Sequence, residues 1–170
     1  RQAVICDALG LSQSLATMTI DNKELKVAAL KEGTVIDHIP SDKLFKVIAI
    51  LNLKNTHSQI TFGYNLDSAK LGKKAIIKIS EKFLEQTEVN KVALIAPHAK
   101  INIIRDYKVV EKMALNYPQE VVGVVKCLNP KCITNNEPMK TKFRQLHPSA
   151  ETYVCHYCEK TVDVEDIVVL

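Results

Sequence analysis

The sequence predicts an α+β protein in two parts: a ferredoxin-like antiparallel sheet with two helices, followed by a small β domain. Three observations lead to this prediction. Between residues 33 and 112, short β-branched segments alternate with two amphipathic helical segments. Four of the five cysteines lie near the C-terminus, and Asn116-Tyr117-Pro118 interrupts the pattern between the two parts. We therefore expect a poorly ordered extension over residues 1–17, a first domain over 18–117 and a second over 118–170.

The first domain is predicted to begin with a strand and a helix. Residues 34–39 are mostly β-branched and stop at Pro40, which predicts a strand. Ser41 and Asp42 are good helix starters, and apolar residues then recur at helical spacing, so we expect an amphipathic helix that ends near Asn55. The apolar stripe of this helix consists of Leu44, Val47, Ile48 and Leu51.

Alternating side chains predict two further strands. Large side chains alternate with small or polar ones over residues 60–64. In the next segment Lys74, Ile76 and Lys78 alternate with Ala75, Ile77 and Ile79. Lys74 and Lys78 are four residues apart in the second of these segments, so an extended backbone places them on the same face.

A second helix and a hairpin complete the first domain. Thr87 is expected to cap a helix over residues 87–95, which Pro97 ends. Two strands over 100–104 and 107–112 are expected to meet at a tight turn at Arg105-Asp106. With right-handed crossovers, the order β-α-β-β-α-β plus one strand gives an antiparallel sheet with both helices on one face. The other face is left open to solvent or to a partner.

The C-terminal cysteines predict a structural zinc site with one ion per chain. Cys127 and Cys132 form Cys-x4-Cys, and Cys155 and Cys158 form Cys-x2-Cys after a gap of 22 residues. Four thiolates complete a tetrahedral shell and leave no open position for a substrate. Disulfides are the alternative; they are less favoured because the sequence shows no secretory signal and Cys6 would remain unpaired. Zinc binding would stabilise a domain too small to bury much surface.

Composition narrows the possible functions. No apolar run approaches the roughly 20 residues that span a bilayer. The formal net charge is +4, and it becomes smaller when the four thiolates and one Zn²⁺ are counted. Only 5% of residues are aromatic. A small net charge and few aromatic side chains both argue against general nucleic-acid binding. A zinc-ribbon nucleic-acid-binding factor remains the alternative function, because Lys140, Lys142 and Arg144 lie between the cysteine pairs. Reduced cysteines favour the cytoplasm.

The first domain contains no motif of a known catalytic site. It does place cations and a carboxylate near the ends of predicted strands: Lys74, Lys78 and Lys112, with Asp37 and His38. Lysine ammonium groups bind phosphate as point charges, and a carboxylate accepts hydrogen bonds from ribose hydroxyls. A bound nucleotide is one interpretation of these residues. Ordinary solvated surface lysines are the other.

Several segments resemble one known family. They are residues 33–40 (GTVIDHIP), 60–66 (ITFGYNL), Gly72-Lys73-Lys74 with Ile77-Lys78-Ile79, Ala96-Pro97, Asn102 with Ile104, residues 107–110 (YKVV), and the cysteine pattern with Tyr157-Cys158-Glu159-Lys160. Together they are similar to the regulatory chain of aspartate carbamoyltransferase, over roughly residues 18–170.

The resemblance implies a non-catalytic subunit that controls pyrimidine biosynthesis. It implies that the first domain binds ATP, CTP and UTP and forms a homodimer, while the zinc domain contacts the catalytic chain. Two catalytic trimers would then be bridged by three regulatory dimers. The implied nucleotide-binding residues are Val27, Ala28, Ala29, Leu30, Asp37, His38, Lys74, Lys78, Asn102, Ile104, Tyr107, Val109 and Lys112. The family has a glutamate at the position of Ala28, and Glu24 corresponds to an insertion near the family's second nucleotide site.

Overall fold

The computed structural model describes residues 29–148 and 150–170. We refer to residues 29–117 as the N-terminal half and to the described residues from 118 onward as the C-terminal half. The expected extension over residues 1–17 lies outside the described residues. In chain order the N-terminal half contains β1 (Gly33–Pro40), α1 (Leu44–Ile50), β2 (Ile60–Ser68), β3 (Gly72–Ser80), α2 (Gln86–Ile95), β4 (Lys100–Arg105) and β5 (Lys108–Ala114).

The strands of the N-terminal half form one antiparallel sheet. Among the described residues its order is β2-β3-β1-β4-β5, with β2 and β5 at the edges. One face packs against both helices, because Ile36, Ile77 and Ile101 from the strands share a buried cluster with Val47 and Val92 from the helices. The predicted ferredoxin-like arrangement with one added strand is confirmed.

The first helix is shorter than the sequence predicted. It ends at Ile50 instead of near Asn55, because Asn52 adopts a left-handed conformation with a φ of 50°. The rest of the expected helix forms a separate 3-10 turn, Leu53–Asn55. The predicted starters Ser41 and Asp42 lie in another 3-10 turn, and Lys43 occupies the cap position of α1 without a capping hydrogen bond from its side chain.

The predicted start of α2 and the predicted turn between β4 and β5 are also wrong, by one or two residues. Glu85, not Thr87, occupies the cap position of α2, and its backbone N–H donates to Glu88 Oε2 at 3.0 Å. The hairpin turn is centred on Asp106 and Tyr107, with φ values of 49° and 61°, instead of on Arg105-Asp106. Two consecutive residues with positive φ give the turn the twist that adjacent antiparallel strands require.

The C-terminal half forms a second antiparallel sheet. Its described strands are β6 (Glu120–Val122), β7 (Lys142–Gln145), β8 (Thr152–Cys155) and β9 (Thr161–Asp163), in that spatial order. Phe143 and Tyr153 are its largest fully buried side chains, and the Tyr153 hydroxyl donates to the Pro118 carbonyl at 2.6 Å. That bond fixes the connecting segment to the second sheet. Within the described residues, no helix combines the length and apolar character that crossing a membrane would need.

Candidate functional site

Four thiols converge in the C-terminal half. The sulfur atoms of Cys127, Cys132, Cys155 and Cys158 all lie within 4.8 Å of one another. Cys127 and Cys158 are 3.6 Å apart at sulfur, and Cys132 and Cys155 are 3.9 Å apart. Sulfurs about 2.3 Å from a tetrahedral ion lie about 3.8 Å from each other, whereas disulfide sulfurs lie about 2.05 Å apart. The cluster therefore has the dimensions of a four-coordinate metal site, and these four cysteines form no disulfide.

Two loops of different width present the thiols. Cys155 is the last residue of β8, and the following turn is closed by the Glu159 N–H, which donates to the Cys155 carbonyl at 3.0 Å. Cys127 and Cys132 lie on the wider loop between β6 and β7. Burial acts to raise the pKa of the Cys158 thiol, but the Lys160 backbone N–H and neighbouring side chains lower it to about 7. The wider first loop agrees with the longer spacing of its cysteines.

Sequence reasoning missed the polar side chains around the wider loop. Thr134 Oγ1 donates to Cys132 Sγ at 3.2 Å, and the amides of Asn135 and Asn136 contact carbonyls of the loop. The run Thr-Asn-Asn directly after Ile133 was the available signal, because these residue types commonly bind nearby backbone groups.

A half-buried ion pair lies on the sheet face that the helices leave open. Lys74 Nζ is 2.8 Å from Asp37 Oδ1, and the His38 backbone N–H donates to the same oxygen at 2.7 Å. A bulge in β1 at Asp37 and His38, where His38 has a φ of 61°, produces this arrangement. The His38 ring nitrogen Nδ1 lies 3.0 Å from Asp37 Oδ2 without hydrogen-bond geometry.

The charges of this face shift the pKa of the Asp37 carboxyl group. Burial acts to raise that pKa, but the hydrogen bonds from Lys74 and from the His38 N–H outweigh it, and the net pKa lies below the usual 3.8. Burial also lowers the pKa of Lys78. The face thus holds an ionised carboxylate beside the Lys74 ammonium group, an environment suited to a ligand with both phosphate and hydroxyl groups.

Further predicted residues lie in one row across the open face. In register, Lys78 of β3 is opposite Val35 of β1, Val35 is opposite Asn102 of β4, and Asn102 is opposite Lys112 of β5. Three strand spacings separate the backbones of Lys78 and Lys112, which is about 14 Å. Ile104 lies on the same face and pairs with Val109.

A polar cavity of about 420 Å³ lies at one end of this face. It brings together four of the predicted residues: Ala29, Leu30, Lys78 and Tyr107. Asp37, His38 and Lys74 do not line this cavity. Val27 and Ala28 lie outside the described residues.

A larger cleft, of about 880 Å³, lies between the two halves and was not anticipated from the sequence. Residues of α1 and α2 line one side, and C-terminal residues such as Ile167 line the other. Leu94 of α2 is buried in the core cluster of the C-terminal half, and Lys91 Nζ donates to the Leu170 carbonyl at 3.2 Å. Burial, Glu151 and Glu165 raise the pKa of Tyr117 in this cleft. The two halves are therefore in direct contact.

The basic run that suggested nucleic-acid binding is partly neutralised. Lys142 Nζ lies 3.1 Å from Glu120 Oε2, and Arg144 is opposite Glu120 in the β6–β7 ladder. A carboxylate beside two of the three cations weakens the attraction of this surface for phosphate.

Comparison with known proteins identifies both halves. The family model described as the allosteric domain of the aspartate carbamoyltransferase regulatory chain matches residues 25–116. The model for the metal-binding domain of the same chain matches residues 119–168. The aspartate carbamoyltransferase regulatory chain of Bacteroides fragilis is 54% identical over 153 residues, covering 90% of this chain and 100% of the relative. That of Pyrococcus horikoshii is 51% identical over 146 residues, covering 85% and 96%.

The two family matches, together with the thiol cluster, place the chain among metal-binding regulatory subunits, a class without catalytic activity of its own. The chain belongs to the family of aspartate carbamoyltransferase regulatory chains. The predicted resemblance is confirmed, and so is the prediction that the chain is not itself an enzyme. The cysteine cluster and the match to a metal-binding domain support a bound metal.

Proposed function

We propose that the chain binds ATP, CTP and UTP on the open face of its first sheet and transmits their effect to the catalytic chains of aspartate carbamoyltransferase. In this way it would control pyrimidine biosynthesis, and it would act in the cytoplasm. The arrangement of Asp37, Lys74, Lys78 and Lys112 on one face carries the proposal. The Asp37–Lys74 pair is only about one-fifth exposed, whereas a solvated pair such as Lys73–Asp67 is mostly exposed, so at least this part of the face is not an ordinary solvated surface.

In the proposed site, different residues contact the ribose, the phosphates and the base of the nucleotide. Asp37 and Lys78 contact the ribose, and His38 and Lys112 contact the phosphates. The base lies against the backbone at Val27, Ala28, Ala29 and Leu30. Lys74, Asn102, Ile104, Tyr107 and Val109 form the remaining wall. The cavity at Ala29, Leu30, Lys78 and Tyr107 supports a base-binding position at that end of the face.

We propose that the metal is one structural Zn²⁺ per chain, bound by Cys127, Cys132, Cys155 and Cys158. Four thiols within 4.8 Å of one another, with two sulfur pairs 3.6 and 3.9 Å apart, fit the tetrahedral geometry and soft-ligand preference of zinc. When bound, the ion supplies a cross-link between the two cysteine loops. In the same proposal, residues 18–117 and 118–170 fold as two units, and residues 1–17 are an extension to the first.

Two exposed apolar surfaces support the proposed assembly. Phe62 and Tyr64 of the edge strand β2 are about half exposed, and Tyr64 lies beside the ring of Phe45. This edge suits the pairing of two N-terminal halves as a homodimer. In the C-terminal half, Leu128 and Ile133 are exposed on and beside the wider cysteine loop, which suits contact with a catalytic chain. Three such dimers would bridge two catalytic trimers.

Calorimetric titration of ATP and CTP into the purified chain, with metal analysis of the same sample, tests the proposal. We expect saturable binding of both nucleotides, competition between them and one zinc per chain. Absence of saturable binding by the folded, metal-containing chain would contradict the nucleotide part of the proposal, and a zinc content near zero would contradict the metal part.

A further inference from the structure

The two cysteine loops differ in how their backbones are held. Two backbone hydrogen bonds close the narrow loop at Cys155 and Cys158: Cys155 N–H donates to the Lys160 carbonyl, and Glu159 N–H donates to the Cys155 carbonyl, both at 3.0 Å. Glu159 has a φ of 57°, which allows this tight turn. The six residues 127–132 form a wider loop outside any strand or helix. Within it the Cys132 N–H donates to the Asn129 carbonyl at 2.9 Å, but the carbonyls of Cys127 and Pro130 need other partners.

Two adjacent side-chain amides supply those partners. Asn135 Nδ2 donates to the carbonyls of Cys127 and Asn129, both at 2.8 Å. Asn136 Nδ2 donates to the carbonyls of Pro130, at 3.1 Å, and Cys132, at 2.8 Å. Each amide group has two N–H donors, so both donors of both side chains are used on this loop.

We propose that Asn135 and Asn136 are positioning residues of the metal site: their amides hold the loop between Cys127 and Cys132 in ligand geometry and so slow the loss of bound metal. The inference rests on the proposed metal site. Fixing the carbonyls of Cys127 and Cys132 fixes the peptide plane that follows each Cα atom, and so restricts the direction of the Cα–Cβ bond that carries each thiol.

The position of the two asparagines is itself well fixed. They follow Cys132 in the 3-10 turn Ile133–Asn135, where Asn135 N–H donates to the Cys132 carbonyl at 2.9 Å and Asn136 N–H donates to the Ile133 carbonyl at 3.0 Å. The turn is therefore joined to the loop that it supports. Movement of this loop away from the metal must break several of these bonds together.

The test compares metal release from the full chain and from Asn135→Ala, Asn136→Ala and the double variant. Asn55→Ala is the matched control, because Asn55 donates its amide to Asn52 Oδ1 in the N-terminal half, away from the thiols. Zinc release into an excess of a chromogenic chelator gives the rate. Loss of groups that orient metal ligands typically weakens metal sites about 10–100-fold. We expect the double variant to release zinc at least about tenfold faster than wild type, and each single variant to fall between the two.

A second readout separates positioning from general stability. Co²⁺ in place of zinc reports the ligand field through its visible absorption and its thiolate charge-transfer band. We expect these bands to shift or broaden in the variants and to stay unchanged in Asn55→Ala. If a variant is purified without metal while its N-terminal half is folded, its metal loss is too fast to measure, and this result also supports the inference. Release rates within twofold of wild type and unchanged Co²⁺ bands would overturn the inference. A wild-type chain that binds no metal would instead refute the proposed metal site.

Discussion

The Asp37 carboxylate accepts two hydrogen bonds at the same oxygen, one from the Lys74 ammonium group and one from the His38 backbone N–H. The side chains of Asp37 and Lys74 are each only about one-fifth exposed, so solvent screens their attraction less than it screens a surface pair. The bulge in β1 creates this contact, because it turns the backbone N–H of His38 toward the side chain before it. The open face thus carries a half-buried, ion-paired carboxylate at the bulge of β1.

Asp37→Asn tests this ion pair through its pH dependence. The folded-state pKa of Asp37 lies below the usual 3.8, so ionisation of the carboxyl group stabilises the fold above that value, and the contribution is lost as the pH falls through the folded-state pKa. We expect the variant to lose about 1–2 kcal/mol of unfolding free energy at neutral pH and much less near pH 2.5. Denaturant unfolding of both proteins across this range measures the difference.

The exposed pair Lys73–Asp67 is the control for that experiment, since its side chains are 59% and 75% exposed. Asp67→Asn should change the unfolding free energy by less than about 1 kcal/mol at any pH. A loss in Asp37→Asn that is the same at neutral and acid pH would show that the ion pair is not its cause.

Lys112→Ala should weaken the binding of ATP and CTP together, because a phosphate contact does not distinguish the bases. Hydrogen bonds to charged groups contribute about 1.5–3 kcal/mol, which corresponds to roughly tenfold or more in affinity. Lys108→Ala is the matched control: it removes the same charge from the same strand, but Lys108 pairs with Arg105 on the other side of the bulge in the β4–β5 ladder. Calorimetry with both nucleotides decides, and wild-type affinity in Lys112→Ala would remove that residue from the site.

At the scale of elements, the ends of helices and turns are where the structure differs from the sequence-based predictions. The N-terminus of α2 is held by Glu88, which accepts the Glu85 N–H at 3.0 Å and also accepts Lys82 Nζ at 2.7 Å. Burial acts to raise the pKa of Glu88, but these partners lower it. This carboxylate therefore stays ionised and joins the helix to the loop before it.

Glu88→Ala should lower the unfolding free energy of the chain by about 1 kcal/mol, the typical effect of losing a helix-capping contact. Thr87→Ala should change it by less than about 0.5 kcal/mol, because the Thr87 side chain is exposed and is not the cap. Thermal unfolding of the two variants provides the comparison. A larger loss in Thr87→Ala than in Glu88→Ala would show that the helix begins as the sequence first suggested.

Cys158→Ser should unfold the C-terminal half and leave the N-terminal sheet folded. The variant loses one of four thiols, while the N-terminal half keeps its own buried cluster of aliphatic residues. Metal analysis and amide hydrogen exchange of each half measure the two effects. His156→Ser, an exposed change in the same turn, should retain one zinc and full protection. A Cys158→Ser chain with one tightly bound metal and a protected C-terminal half would contradict this view.

Periodicity predicted most of the fold, because the alternation in residues 74–79 and the helical spacing after Leu44 reflect burial on one face. It failed at Asn52, Asp106 and Tyr107, where positive φ values depend on the local backbone more than on hydrophobic pattern. The thiol cluster followed from cysteine spacing alone. The contacts of Asn135 and Asn136 could not be predicted, because they depend on the path of a loop without periodicity.

At the scale of the whole molecule, contact between the halves provides a route for coupling. Leu94 extends from α2, a helix of the N-terminal half, into the buried cluster of the C-terminal half. The hydrogen bond from the Tyr153 hydroxyl to the Pro118 carbonyl restricts the movement of the segment that connects the halves. A ligand changes an equilibrium only by its different affinity for two states, typically by about 1–3 kcal/mol. A nucleotide that favours one orientation of the halves would therefore act on the catalytic partner through α2 and the cleft beside it.

The most direct test of the regulatory account is aspartate saturation of catalytic trimers measured with and without this chain, ATP and CTP. The chain alone should show no carbamoyl transfer. In the assembled complex with zinc, each nucleotide should shift the aspartate saturation curve, because bridging chains couple the trimers. Removing zinc should abolish these shifts and leave the trimers active. Identical curves in all conditions, with complex formation demonstrated, would contradict the account and leave the chain as a scaffold.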